Sequence, residues 1–131
     1  MDLHPLVRAG LRPENGLLAQ RLIPWPTLNA PFEGAWCVIR PGTASIAHAH
    51  HEYEIFIAVS GAALVESEGE QTPFVGGDIV YFKPGADHRV INNGDSDFQM
   101  YGVWWDTEIA HGFLVRDGLD QHGRDQQGAS A

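Results

Sequence analysis

Residues 42–61 read Gly42-Thr-Ala-Ser-Ile-Ala-His48-Ala-His50-His51-Glu52-Tyr53-Glu54-Ile-Phe-Ile-Ala-Val-Ser-Gly61. Alternate residues of a strand face one side, so His48 and His50 point together. A turn at His51-Glu52-Tyr53 would start the next strand at Glu54, with Glu54, Phe56 and Ala58 on its inner face. Downstream, His88 opens another short run, with Val90 and Asn92 on its side and Arg89 facing away. Three imidazoles and one carboxylate at these spacings are able to close on a single metal ion. This donor set suits divalent zinc, iron, manganese, nickel or cobalt. Each imidazole must be neutral to bind. Four protein ligands with positions left over point to a catalytic ion, not a closed structural one.

The rest of the chain has the punctuation of an all-β protein. Apolar runs at 35–40, 46–50, 55–59, 62–67, 72–75, 79–82, 88–92 and 98–105 are separated by Gly and Pro breaks such as Pro41-Gly42, Gly76-Gly77 and Pro84-Gly85. Such spacing predicts a β-sandwich or barrel. Ala62–Ser67 and Thr72–Val75 read as a hairpin across Glu68-Gly69-Glu70, and Asn93-Gly94-Asp95 reads as another. Leu17 to Ile23 has the pattern of a helical turn or an arm strand. Pro24, Pro26 and Pro31 then impose an extended path. The end of the chain is rich in Asp, Gln and Gly and reads as a mobile tail. The expected division is an N-terminal arm over 1–34, a barrel over 35–112 and a polar tail over 113–131.

The 131 residues suit one domain, with 44% hydrophobic and 19% charged residues. A net charge of -9, from 17 acidic and 8 basic residues, disfavours nucleic acid as a partner. Cys37 is the single cysteine, so no internal disulfide forms; it reads as an inert small hydrophobe. No apolar run approaches the about 18 residues of a membrane helix, and the N-terminus lacks a secretion signal, so the expected location is cytoplasmic. His51, Glu52 and Tyr101 are candidates for catalytic roles beside the ligands. Arg40 and Arg89 are candidates for holding an anion. Of Trp36, Trp104 and Trp105, some belong to the core.

The frame around the histidines resembles the cupin superfamily. Gly42, His48-x-His50, Glu54 and Gly61 match its first motif in full. Gly77 and Gly85-x-x-His88-x-x-x-Asn92 resemble the second, with Lys83 where proline is usual and the proline displaced to Pro84. The resemblance covers about residues 35–105. It implies a small antiparallel β-barrel of jelly-roll type. It assigns His48, His50, Glu54 and His88 as ligands of one divalent ion, with zinc favoured. It also implies a homodimer in which the N-terminal arm pairs with the neighbour's sheet, although residues 1–33 could equally cover their own barrel. Trp104-Trp105-Asp106 is similar to the cupin component of hydrazine-forming synthetases. That likeness implies N–N bond formation alongside a methionyl-tRNA-synthetase-like partner. A mononuclear iron dioxygenase and a non-enzymatic small-molecule binder are the other readings.

Overall fold

The computed structural model describes residues 1–116. After a 3-10 turn at Arg8–Gly10 come β1 (Arg12–Glu14), β2 (Leu17–Arg21), β3 (Glu33–Ile39), β4 (Thr43–Ala44), β5 (Tyr53–Ser60) and β6 (Ala62–Ser67). There follow β7 (Glu70–Val75), β8 (Ile79–Phe82), β9 (Arg89–Asn92), β10 (Phe98–Trp105) and the helix α1 (Thr107–Arg116). Two antiparallel sheets result. One runs β1-β2-β3-β10-β5-β8 and the other β4-β9-β6-β7. Together they form the expected jelly-roll barrel.

Strand alternation fills the space between the sheets. Glu54, Phe56 and Ala58 are the buried residues of β5, and Phe98, Met100 and Gly102 those of β10. Ile39, Phe74, Val90 and Phe98 close one end of the barrel, all of them almost inaccessible to water. Burying each of these side chains stabilises the fold by about 1.5–3 kcal/mol. Polar donors occupy the other end.

Two tight turns set the register. Glu68 and Gly69 both take positive φ, 51° and 79°, as a two-residue turn between paired strands requires; β6 and β7 meet at Ser67↔Glu70. Asn15 and Gly16 do the same at 52° and 81°, with Glu14↔Leu17 closing β1 on β2. The segment 17–21 is therefore an arm strand, and it pairs with β3 from Leu18↔Val38 to Arg21↔Ala35. The arm lies on its own barrel's sheet.

Three expectations are corrected. Asn93-Gly94-Asp95 does not join a hairpin, because β9 and β10 lie in different sheets. The buried Asn92 side chain is the reason. Its Nδ2 donates to the carbonyls of Ile39 and Ser96, each at 2.8 Å, and its Oδ1 accepts from the Gly94 amide at 3.0 Å. These bonds steer the chain across the barrel end, not back along β9. The run 46–50 is no regular strand either. Only His48 bridges, to His88, through paired backbone hydrogen bonds of 3.3 and 3.0 Å. Finally, α1 has no counterpart in the hydrophobic pattern, since none of its residues is buried. Asp106 starts it, its Oδ1 accepting from the Glu108 amide at 2.8 Å. Residues 113–116 of the expected tail are helical; 117–131 lie outside the described residues.

Asn92→Ala strips partners from two carbonyls and one amide at a buried corner. Urea unfolding should show a loss of about 2–3 kcal/mol. A loss under about 0.5 kcal/mol, the scale of an ordinary surface substitution, would show that the corner does not depend on this side chain.

Candidate metal centre

His48 and His88 face each other across their bridge. His50 follows two residues on, and Glu54 is the second residue of β5, between Phe82 on β8 and Trp104 on β10. One ligating atom from each of the four lies within 4.8 Å of the others. Glu54 Oε1 is 2.8 Å from His88 Nε2 and 3.1 Å from His50 Nε2. His88 and Glu54 are buried, while His48 and His50 are half-buried at the mouth.

The backbone fixes the protonation pattern. His48 Nδ1 lies 3.1 Å from the Ile46 carbonyl, His50 Nδ1 3.2 Å from that of Glu52, and His88 Nδ1 3.1 Å from that of Ala86. A carbonyl only accepts, so these contacts place a proton on Nδ1 of His48 and His88 and leave their Nε2 atoms as donors for a metal; His50 faces an acceptor on both sides, its Nε2 also hydrogen-bonding Glu54 Oε1 at 3.1 Å. His88 Nε2 is buried without a hydrogen-bond partner. Its 2.8 Å approach to Glu54 is misaligned for a hydrogen bond and sets a lone pair beside a carboxylate oxygen. Such an arrangement is repulsive until a cation stands between the donors. Imidazole nitrogens and a carboxylate oxygen gathered this closely are a donor set for a divalent transition metal. The four residues fit a divalent metal. Phe82 stacks on His88 at 4.3 Å and 15°, with Phe56 edge-on at 5.5 Å, which holds the ring in place.

The arm also reaches the ligands. The Ile46 amide donates to the Asn15 carbonyl at 2.7 Å, and the Ile46 carbonyl in turn takes the His48 Nδ1 proton. Gly16 permits this docking. A Cβ there would sit 2.8 Å from the Ala44 carbonyl, on a backbone already at φ +81°.

A cavity of about 340 Å³ opens over the donors, lined in addition by Leu17, Arg21, Cys37, Glu52, Met100 and Trp104. A larger groove of about 590 Å³ runs beside β7 and β8 and holds none of the four donors; the donor geometry, not the size, locates the site. Glu52 lines the cavity, its Oε1 3.9 Å from His50 Nδ1. His51 does not. Its side chain is 77% exposed and its Nε2 lies 3.8 Å from Asp106 Oδ2. Tyr101 is turned to the opposite face by the alternation that sends Met100, Gly102 and Trp104 inward. It packs edge-on against Trp36 at 4.9 Å, and burial raises its phenol pKa. Neither His51 nor Tyr101 reaches the cavity. Arg89 bonds Glu66 on the barrel's outside and Arg40 is exposed beyond β3, so neither holds an anion at this site. The residues that sequence reasoning missed are Glu14, Leu17 and Arg21. Asn15-Gly16 between two short runs was the signal for their hairpin.

Cys37 stays a thiol. Burial, and then the charges of Glu54 and Glu14, push its pKa from the ordinary 9.0 to about 12, against a lowering by Arg21. Between those values the folded chain keeps a proton that the unfolded chain has lost, so its contribution to stability falls as pH rises. In the metal-free protein, stability between pH 9 and 11 should fall more steeply than in Cys37→Ala, by up to about 1.4 kcal/mol per pH unit. Equal slopes would show that the thiol titrates normally.

Residues 35–105 match the family model described as Cupin domain. Among solved structures, the chain is 55% identical to a Cupin 2 conserved barrel domain protein from Salinispora arenicola CNS-205. The match covers 88% of this chain and 98% of that one, at a TM-score of 0.80. A protein from Photorhabdus luminescens is 39% identical over 88% and 98% of the two chains, at a TM-score of 0.79. Among curated proteins, an oxalate-binding protein of Thermotoga maritima is 28% identical over 64 residues. That match covers 48% of this chain and 53% of the relative, so the chain spans about half of it.

Proposed function

The chain belongs to the cupin family, and from that premise we propose that it is a metal-dependent enzyme acting on a polar small molecule. The observation that carries this reading is the convergence of three imidazole nitrogens and the Glu54 carboxylate at the floor of an open cavity. A structural ion has no need of a cavity, whereas an ion that meets substrate does. Bound there, a dication supplies Lewis acidity to a substrate oxygen. The chain's own residues do the rest. The three histidines and Glu54 hold the ion, and Glu52 offers an acceptor for a substrate N–H or O–H at the rim. Trp104, Met100 and Leu17 exclude water from the wall.

For the reaction itself, we propose N–N bond formation as the cupin partner of a hydrazine-forming synthetase, with zinc as the ion. The substrate would be an amino-acid ester of an N-hydroxylated amine. The free amine attacks the hydroxylated nitrogen, the N–N bond forms, the N–O bond breaks, the carboxylate leaves and the amine gives up a proton. Supporting this reading is Trp104 of the Trp-Trp-Asp segment, which lines the cavity beside Glu54. A second reading, binding without turnover, draws on the likeness to the oxalate-binding protein.

Metal analysis and turnover separate these readings. The purified chain should carry one zinc and convert such an ester to its N–N product without oxygen uptake. His48→Ala should lose both metal and turnover, by about 100-fold or more. Iron with oxygen uptake would replace this chemistry with that of a dioxygenase, and tight ligand binding without turnover would favour the binding role. Full metal content and turnover in His48→Ala would end the metal-centre reading.

A further inference from the structure

Among the described residues, Arg21 is the single Arg or Lys side chain that lines the metal cavity. It stands at the end of β2, where Leu17, Ala19 and Arg21 share the inward face. Its guanidinium lies over the indole of Trp104, 5.1 Å from the ring centroid. Trp104 in turn pairs with Glu54 across β10 and β5. The order across the sheet is thus guanidinium, indole, metal-ligand carboxylate.

Arg21 is held on one edge only. Glu14 takes Nε at 3.2 Å and Nη2 in a closer bond. Nη1 lies 4.0 Å from Glu33 Oε2, beyond hydrogen-bond range. Glu33 Oε1 already accepts from the amides of Ile23 and Gly34. The Nη1–Nη2 edge therefore keeps parallel N–H donors, and the side chain is 47% exposed. That planar fork matches the two oxygens of a carboxylate, and the indole keeps it flat and in place. The side chain stays charged, since Glu14 raises its pKa.

We propose that Arg21 is a specificity-determining residue whose free edge anchors a carboxylate of the substrate, which therefore carries that carboxylate in addition to the group that meets the metal ligands. The inference rests on the metal-centre reading of the cavity. It gives the arm a role in recognition, because Arg21 and its partner Glu14 both come from the β1–β2 hairpin.

The test is calorimetry on the zinc-loaded full chain with malonate, succinate and glutarate, each against its monomethyl ester. At least one dianion should bind about 10-fold or more tightly than its ester. Arg21→Gln should erase that preference while zinc content and ester affinity hold. Arg21→Lys, with charge but no fork, should fall between the two. A preference that persists in Arg21→Gln, or a loss shared equally by dianion and ester, would overturn the assignment. A separate arm uses the metal-free chain. Propionate should shift the Arg21 side-chain N–H resonances and lose binding in Arg21→Gln. Absence of that shift counts against Arg21, whereas absence of zinc binding counts against the metal centre.

Discussion

Three imidazole nitrogens and a carboxylate oxygen converge on one point, with a single hydrogen bond among them, between His50 Nε2 and Glu54 Oε1, and His88 Nε2 left without one. That is the constraint on which the site depends. Each ring has its outer nitrogen beside a carbonyl two residues away, at Ile46, Glu52 and Ala86. Rotating a ring to escape the repulsion would sacrifice that bond, and for His88 would also break its stack on Phe82. The fold thus maintains an electrostatic deficit that a dication fills.

The barrel is what makes this deficit sustainable. One end is packed by Ile39, Phe74, Val90 and Phe98 and tied across by Asn92. That leaves the other end free to carry polar donors and a cavity. The arm then completes the wall. Through the Asn15 carbonyl it reaches the Ile46 peptide that orients His48, and through Arg21 and Leu17 it lines the cavity. The arm is therefore part of the site and not only a cover for the sheet.

Much of this was legible in the sequence, for physical reasons. Period-2 alternation is rigid, so the shared face of His88, Val90 and Asn92 could be read from parity, whereas that of Glu54, Phe56 and Ala58 also needed the turn at His51-Glu52-Tyr53 to start their strand. Short-range turn chemistry was less decisive. Asn93-Gly94 has a hairpin signature, but the long-range bonds of Asn92 to Ile39 and Ser96 override it. Asn15-Gly16 does form such a turn, yet the runs beside it are too short and mixed to announce strands. His51 lies next to the ligands along the chain, and Tyr101 was a candidate by residue type. Alternation and a solvent-facing turn carry them away. Arg21 could not be assigned to the cavity without the pairing of β2 on β3, which brings it over Trp104. Helix α1 was invisible because it buries no face.

Ring-nitrogen NMR of the histidines, with and without zinc, tests the central claim most directly. In the metal-free chain, His48 and His88 should each appear with the proton on Nδ1 and not on Nε2. Zinc should then displace the three Nε2 resonances together, at one ion per chain. Protonation on Nε2 in these rings, or a zinc titration that leaves the Nε2 resonances in place, would contradict the account.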